Sequence, residues 1–271
     1  MSSVRVRLLG TGGAANECRR QACLLVERAD RADGPILLDT GNGLDVVRQL
    51  LAAGCEPREV RHIFVSHRHA DHVGGLDPLL LWSVLRTVRE SGAPPSQPTR
   101  VYAEARVVEA IERLFEATAT TTPRLFAGQL VWIALSDGVA VELPGGGRLT
   151  PFLVDHEPRE GGALGCVLEL AGVRLAYSGD TRPSERLVEA ARDVEALFHE
   201  SGGLDGQAEL VHRQGHSTAG DAGRAAKGAG ARRLILTHLP DDRLAQAMLA
   251  EAQAAFGGPV ELASDLAVIE L

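Results

Sequence analysis

The sequence predicts an α/β fold of four layers, in which two β-sheets pack face to face between outer layers of helices. Strand and helix patterns alternate in the first part of the chain, consecutive strands fill residues 130–177, and the alternation then resumes. Runs of strands with helices around them are typical of packed sheets covered by helices. The proline-rich stretch at 91–99 is too short to separate domains, so we expect a single domain over residues 1–271.

The first half of the chain alternates between short strands and helices. Apolar runs bounded by turn residues predict strands at residues 4–9, 23–27, 36–38, 61–65 and 101–103. Helical patterns are found at residues 44–53, 77–90 and 105–116. We expect Asp77 to be the N-cap of the second helix and Pro78 its first helical residue.

The second half begins with strands that follow one another directly. They are predicted at residues 130–134, 139–143, 148–154, 164–170 and 173–177. Further strands are predicted at 196–198, 232–237 and 266–269, with helices at 218–228 and 242–255. This change of pattern is what indicates a second sheet.

Composition and charge limit the classes of function. The chain has 271 residues, of which 45% are hydrophobic, and a formal net charge of -8. No apolar run approaches the ~20 residues that cross a bilayer, and the N-terminus lacks a secretory signal pattern. We therefore expect a cytoplasmic protein with no membrane partner. The acidic balance disfavours a broad nucleic-acid surface, and the four cysteines, which form no CxxC pair, are expected to be free thiols.

The segment HRHADH carries the strongest functional signal. It places His67, His69, Asp71 and His72 in a loop directly after a buried strand pattern. A tight loop can turn His67 and His69 toward one point while Asp71 and His72 face another. Neutral imidazoles and carboxylates are the ligands that zinc and similar divalent ions prefer. This density of ligands predicts a metal centre.

Two metal sites need more ligands than this loop supplies, and three candidates each follow a predicted strand. They are His156, Asp180 and His238. Side chains at the ends of separate strands converge naturally at one rim of a sheet. Together with the HRHADH loop, the three residues complete two sites that share one bridging carboxylate.

The order HxHxDH, then His, Asp and His, resembles the metallo-β-lactamase superfamily. The resemblance implies an αββα sandwich over nearly the whole chain and a centre of two divalent metal ions. It implies one ion held by His67, His69 and His156, a second held by Asp71, His72 and His238, and Asp180 bridging both. Zinc is the expected metal because it suits a histidine-rich ligand set, with manganese and iron as alternatives.

The C-terminal part is similar to ribonuclease Z and its phosphodiesterase relatives. The segments FHES at 198–201 and GHSTAG at 215–220 carry this similarity, with LLGTGGA and LLDTGNG near the N-terminus. It implies that Glu200 pairs with His216, which we expect to act as a general acid on the leaving alkoxide. Two metal ions lower the pKa of bound water to about 7, and we expect Asp71 to orient the metal-bound hydroxide.

The chain is too short between two of its candidate ligands to include the arm with which many ribonuclease Z enzymes bind tRNA. Many ribonuclease Z enzymes insert a long arm between the middle histidine and the bridging aspartate. Here the interval from His156 to Asp180 is short and holds two strand patterns. We therefore expect a phosphodiesterase that acts on a small or cyclic phosphodiester, with RNA as the alternative substrate. If the chain self-associates, a homodimer is the commonest assembly.

Three other functions stay open on sequence grounds. A tRNA 3′-processing endonuclease would need a basic patch despite the net charge of -8. A lactonase or thioesterase could use the same metals, but the segment around His156 departs from their GHTPG pattern, and Glu200 and His216 would have no task. A binding or regulatory protein with a slow metal centre is disfavoured because every ligand position is filled.

Overall fold

A computed structural model describes residues 4–28, 34–118, 128–143, 146–156 and 162–271. Over this part of the chain, two seven-stranded sheets pack against each other and carry helices on their outer faces. The four-layer α/β fold predicted from the sequence is confirmed. Among the same residues, no helix combines the length and the apolar character needed to span a bilayer.

The first sheet is formed by the N-terminal half of the chain and its last strand. Its strands are β1 (Val4–Gly10), β2 (Cys23–Arg28), β3 (Ile36–Leu38), β4 (His62–Phe64), β5 (Thr99–Glu104), β6 (Leu130–Leu135) and β14 (Val268–Glu270). Their spatial order is β14-β1-β2-β3-β4-β5-β6. Pairing is antiparallel from β14 to β3 and parallel from β3 to β6.

The second sheet repeats this plan. Its strands are β7 (Val141–Leu143), β8 (Gly147–Leu153), β9 (Leu164–Leu170), β10 (Val173–Tyr177), β11 (Ala196–Glu200), β12 (Leu234–Thr237) and β13 (Val260–Leu262). The spatial order runs from β13 to β7 without interruption. Pairing is antiparallel from β7 to β10 and parallel from β10 to β13. The carboxyl ends of the parallel strands therefore lie at a common edge.

Helices cover the outer face of each sheet. In chain order they are α1 (Asp45–Ala52), α2 (Ala70–Val73), α3 (Leu76–Ser91), α4 (Ala105–Thr118), α5 (Glu185–Ala190), α6 (Ala208–Arg213), α7 (Ala219–Ala229) and α8 (Ala245–Phe256). The helices α1, α3 and α4 pack on the first sheet, and α5, α7 and α8 pack on the second.

Alternation along the strands divides the apolar side chains between layers. On β1, Leu8 faces the core between the sheets, whereas Leu9 faces the helices on the other side. Phe64 of the first sheet and Phe198 of the second are fully buried in the central core. Because burying a large apolar side chain contributes about 1.5–3 kcal/mol, this core holds the two sheets together.

The predicted start of α3 is wrong by two residues. The N-cap is Gly75 and not Asp77, which instead lies in the first turn of the helix. The reason is a tertiary contact, because a Cβ atom on Gly75 would lie 2.1 Å from the carbonyl oxygen of Thr40. The elements α2, α5, α6 and β13 were not predicted, since six residues or fewer give too little periodicity to read. The prediction that Asp71 and His72 lie in a loop is therefore wrong, because both lie in α2.

Candidate metal centre

The predicted ligands follow strands of both sheets. The HRHADH segment follows β4 of the first sheet, and His156 follows β8 of the second. Asp180 and His238 come after β10 and β12, whose carboxyl ends share one edge. Packing of the two sheets therefore brings together side chains that lie far apart in the sequence. His238 itself has a φ of 56°, a left-handed backbone conformation that the strand end must hold in place.

One group of ligand atoms belongs to His67, His69, His156 and Asp180. Each residue offers one atom, and the four atoms lie within 4.8 Å of one another. His69 Nδ1 is 3.2 Å from His156 Nε2, and His67 Nε2 is 3.7 Å from Asp180 Oδ2. These spacings are compatible with a single cation bound between the four side chains.

A second group belongs to Asp71, His72 and His238. His72 Nε2 is 3.3 Å from His238 Nε2, which is 3.3 Å from Asp71 Oδ2. Asp180 Oδ2 lies 3.3 Å from His72 Nε2 and 3.5 Å from His238 Nε2, so this carboxylate borders both groups. The seven side chains thus lie in two groups, with Asp180 between them.

The donor set fits divalent cations. His67 Nε2 and Asp180 Oδ1 are buried and have no hydrogen-bond partner among the residues that the structure describes. An unsatisfied buried polar atom costs about 1–3 kcal/mol, and a bound cation would remove that cost for both atoms. Burial also lowers the pKa of His67 and of His156, which keeps both imidazoles neutral, as metal ligation requires.

Asp39 supports the second group from behind, and the sequence analysis did not single it out. Its Oδ2 atom accepts hydrogen bonds from His72 Nδ1 at 2.8 Å, Ser66 Oγ at 2.7 Å and Tyr177 OH at 2.7 Å. Because His72 donates through Nδ1, its Nε2 lone pair is left for a cation. The sequence feature that could have identified Asp39 is its place between a buried strand and a Thr-Gly turn.

His156 is oriented through the backbone of the loop before α7. Its Nδ1 atom donates to the carbonyl oxygen of Gly215 at 2.8 Å, which leaves Nε2 facing the first group. Gly215 has a φ of 91°, and a Cβ atom there would lie 2.7 Å from His156 Nδ1. Only glycine allows this approach, because any side chain would collide with the imidazole.

Glu200 and His216 form the pair expected from the sequence. His216 Nδ1 donates to Glu200 Oε1 at 3.0 Å, and the Thr181 backbone N–H donates to the same oxygen at 2.8 Å. Burial on its own lowers the pKa of His216, but the neighbouring Glu200 carboxylate and the hydrogen bond to it raise that pKa to about 9. The Glu200 carboxylate thus favours the protonated imidazole of His216, one of whose ring nitrogens lies within 4.8 Å of ligand atoms of Asp180 and His238.

A cavity of about 420 Å³ opens over both groups. His69, Asp71, Asp180, His216 and His238 line it. A second cavity of about 430 Å³ adjoins it, and Ala15 and Pro240 line both. The second cavity is also bordered by Glu17, Asp241, Asp242 and Arg243. Arg243 is paired with Asp241, and Arg19 is paired with Asp242.

Three histidines outside the predicted ligand set have other partners. His62 Nδ1 hydrogen-bonds with Tyr102 OH at 2.8 Å, and His199 Nδ1 donates to the Glu200 carbonyl at 2.8 Å. His212 Nε2 donates to Asp221 Oδ2 at 2.6 Å. None of these side chains is part of a metal-ligand group within the described part of the chain.

Comparison with known proteins identifies the superfamily of this fold. The family model described as the Beta-lactamase superfamily domain matches residues 35–239, a segment that runs from before Asp39 to just past His238. A protein named ribonuclease Z from Methanosarcina acetivorans is 29% identical, and the alignment covers 87% of each chain.

Two solved structures share the fold over nearly their whole length. The metallo-β-lactamase fold protein YhfI from Bacillus subtilis superposes with a TM-score of 0.84 at 20% identity, covering 99% of this chain and 100% of YhfI. The short form of human tRNase Z superposes with a TM-score of 0.74 at 24% identity, covering 98% of each chain. The superfamily's fold implies divalent metal ions, in agreement with the two groups of ligands. The chain therefore belongs to the metallo-β-lactamase superfamily and is a hydrolase of that superfamily.

Proposed function

We propose that this protein is a phosphodiesterase with two divalent metal ions, acting on a small or cyclic phosphodiester. The observation that carries this proposal is the His216–Glu200 pair beside two metal-ligand groups that share Asp180. Hydrolysis of a diester expels an alkoxide, which needs a proton. A thioester hydrolase would have less use for a proton donor in that place, because a thiolate is a much weaker base than an alkoxide.

The ligands would hold the metal ions in the two groups described above. His67, His69 and His156 would bind one ion, Asp71, His72 and His238 the other, and Asp180 both. Zinc suits the histidine-rich set, with manganese or iron as alternatives. Bound there, the ions would act as Lewis acids on the phosphoryl oxygens and would lower the pKa of a coordinated water. Because ligands come from both sheets, the whole chain would act as one domain.

The protein's own side chains would donate the proton to the leaving oxygen and orient the attacking water. His216 holds its Nδ1 proton against Glu200, so its Nε2 proton is the one to be given to the leaving oxygen. Such general acid catalysis is typically worth about 10²–10⁴-fold in rate. Asp71 lines the same cavity, and its carboxylate would orient the attacking water by accepting a hydrogen bond.

Cavity size and charge support a small substrate. A cavity of about 420 Å³ is in the range of small-molecule sites, roughly 300–1,000 Å³. In the adjoining cavity Asp241 and Asp242 are ion-paired with Arg243 and Arg19, and the Glu17 carboxylate there would repel a further phosphate of a polyanion. Between His156 and Asp180, β9 and β10 form a hairpin and leave no space for a long arm.

The decisive experiment compares the metal-loaded protein with two histidine variants on a 2′,3′-cyclic nucleotide, whose leaving alkoxide is a strong base and needs a proton. His216→Ala should lower kcat by about 10²-fold or more, because the leaving group loses its acid. His212→Ala is the matched control, since its imidazole also pairs with a carboxylate but lies outside the cavity. Equal activity of the two variants, or activity confined to a lactone and a thioester assayed in parallel, would overturn the proposal.

A ribonuclease Z-type tRNA 3′-processing endonuclease is the second candidate. It is favoured by the relative named ribonuclease Z, which aligns over 87% of this chain. The net charge of -8 counts against it. Cleavage of a precursor tRNA with a kcat/KM far above that for cyclic nucleotides would decide for this candidate.

A further inference from the structure

Neither His156 nor His216 lies within a helix or a strand. Strand β8 ends at Leu153, and helix α6 ends at Arg213. The positions of these two histidines relative to Asp180 must therefore be set by contacts between loops. Arg182, two residues beyond Asp180, makes the contacts that join them.

Arg182 is bonded to both neighbouring loops. Its Nε atom donates to the carbonyl oxygen of His212 at 2.6 Å. One terminal guanidinium nitrogen donates to the carbonyl oxygen of Asp155 at 3.2 Å and to Asp155 Oδ1 at 3.3 Å. The backbone N–H of Arg182 also donates to the Asp155 carbonyl at 3.0 Å. The side chain is only 26% exposed, so these bonds are partly shielded from water.

These bonds restrain His156 through two connections, one along the chain and one through a second loop. The first connection is covalent, because Asp155 immediately precedes His156. The second connection passes through the loop of His216, where the His212 carbonyl also accepts the N–H of Gly215 at 3.0 Å. Gly215 in turn accepts the Nδ1 proton of His156 at 2.8 Å. Arg182 thus holds the loop that orients His156 as well as the residue before it.

Thr181 joins the same loops to the general acid. Its N–H donates to Glu200 Oε1 at 2.8 Å, and its carbonyl accepts the hydroxyl proton of Ser217 at 2.6 Å. Ser217 follows His216, so the Thr181–Arg182 segment holds the loop of His216 on both sides. The hydroxyl of Thr181 accepts the N–H of Asp155 at 3.2 Å.

We propose that Arg182 is a positioning residue, which fixes the loops of His156 and His216 relative to Asp180; its effect on catalysis rests on the proposed function. The planar guanidinium presents several donors in fixed directions, so one side chain can bond to carbonyls of two loops at once. A lysine ammonium is a single point charge and cannot span both carbonyls. Two of the guanidinium nitrogens are already bonded to the protein, which a role in positioning requires.

Variants at position 182 test this role in the metal-loaded enzyme. Arg182→Met should lower kcat for the 2′,3′-cyclic nucleotide by about 10- to 100-fold, because small displacements of catalytic groups are costly. KM should change less than about twofold, because Arg182 is not expected to touch the substrate. Arg182→Lys should recover only a small part of kcat, since it bonds at most one loop.

Arg174→Met is the matched control. Arg174 also donates to a backbone carbonyl, that of Arg192 at 2.9 Å, but it lies on β10 away from the cavity. A similar loss of kcat and of thermal stability in both methionine variants would mean a merely structural role and would overturn the proposal. Full recovery of kcat by Arg182→Lys would also overturn it.

Two further measurements do not depend on hydrolysis. Backbone amide exchange at Gly215 and His216 should be faster in Arg182→Met than in the unchanged protein and in Arg174→Met. Titration with Co²⁺ should show weaker binding and an altered visible spectrum at the group that contains His156. Unchanged exchange and Co²⁺ spectra would overturn the positioning role, whereas a failure of the unchanged enzyme to cleave any phosphodiester would count only against the proposed function.

Discussion

At the scale of single residues, the side chains behind the ligands matter as much as the ligands. Asp39 accepts three hydrogen bonds at one oxygen, from His72, Ser66 and Tyr177. This carboxylate fixes both the tautomer and the direction of the His72 ring. Partners of metal-bound histidines typically change metal affinity by about 10–100-fold when they are removed.

Removing the Tyr177 hydroxyl should therefore weaken metal binding as well as stability. We expect Tyr177→Phe to lose about 1 kcal/mol in the free energy of unfolding of the metal-free protein. We also expect a loss of about 10-fold in zinc affinity, measured by competition with a chromophoric chelator. Tyr102→Phe is the control, because Tyr102 also makes a buried hydrogen bond, but with His62. An equal loss of zinc affinity in the two variants would contradict this prediction.

Glu17 provides a test of substrate charge. It lines the second cavity, next to the one that holds the metal ligands. Glu17→Lys should raise kcat/KM several-fold for a dinucleotide with a terminal phosphate, relative to the same dinucleotide without it. The gain should shrink at high salt, because exposed charges are screened. Glu112→Lys on α4 makes the same change in net charge elsewhere, and an equal gain there would refute a local effect.

At the scale of elements, α7 is fixed at its start by a capping box. Thr218 Oγ1 accepts the N–H of Asp221, and Asp221 Oδ2 accepts the N–H of Thr218. The N-terminus of α7 follows the His216 loop directly, so this cap anchors one end of that loop. Replacing an N-cap threonine by alanine typically costs about 1 kcal/mol.

The contribution of Asp221 should depend on pH. Burial alone raises its pKa, but hydrogen bonds from Arg224, His212 and Thr218 lower the pKa to about 2. Because the unfolded value is about 3.9, the folded state binds this proton less tightly. The stabilisation is therefore full above about pH 4 and is lost as the pH falls toward 2.

Asp221→Asn should thus be less stable than the unchanged protein at pH 6, by about 1 kcal/mol. The difference should shrink when urea unfolding is measured at successively lower pH. Ser184→Ala removes the N-cap of α5, whose hydroxyl accepts the N–H of Leu187 at 3.2 Å, and should lose similar stability at every pH. A difference for Asp221→Asn that stays constant down to pH 3 would exclude the expected linkage.

At the scale of the whole molecule, the candidate metal ligands come from both sheets. His67 is carried by the first sheet, whereas His156, Asp180 and His238 are carried by the second. A bound cation would tie the two halves of the sandwich together, and its affinity would add to the stability of their packing. Chelation should therefore act on the entire fold.

Metal removal should lower Tm by several degrees. A ligand present at about 100 times its Kd adds about 2.7 kcal/mol, provided that it binds only the folded state. Adding Zn²⁺, Mn²⁺ or Fe²⁺ back to the chelated protein and recording Tm would rank the three metals. Asp180→Ala should respond much less, because Asp180 borders both groups. A full response by this variant would show that the stabilising ions bind elsewhere.

The sequence by itself determined the four-layer class, the superfamily and the types and order of the candidate ligands. These features depend on local chemistry: HRHADH concentrates ligands in one short segment, and His156, Asp180 and His238 each follow an apolar run that could only be a strand. The pairing of Glu200 with His216 was expected from the resemblance, and the two side chains are in contact.

Only the tertiary structure decided which side chains support the centre. Asp39 and Tyr177 are 138 positions apart in the chain yet share a hydrogen bond, which only the packing of the two sheets creates. Arg182 bonds to carbonyls of two other loops, and backbone carbonyls leave no mark in a sequence. The start of α3 likewise followed from the approach of Gly75 to Thr40. Contacts of this kind depend on distance in space, and the spacing of residues along the chain does not encode it.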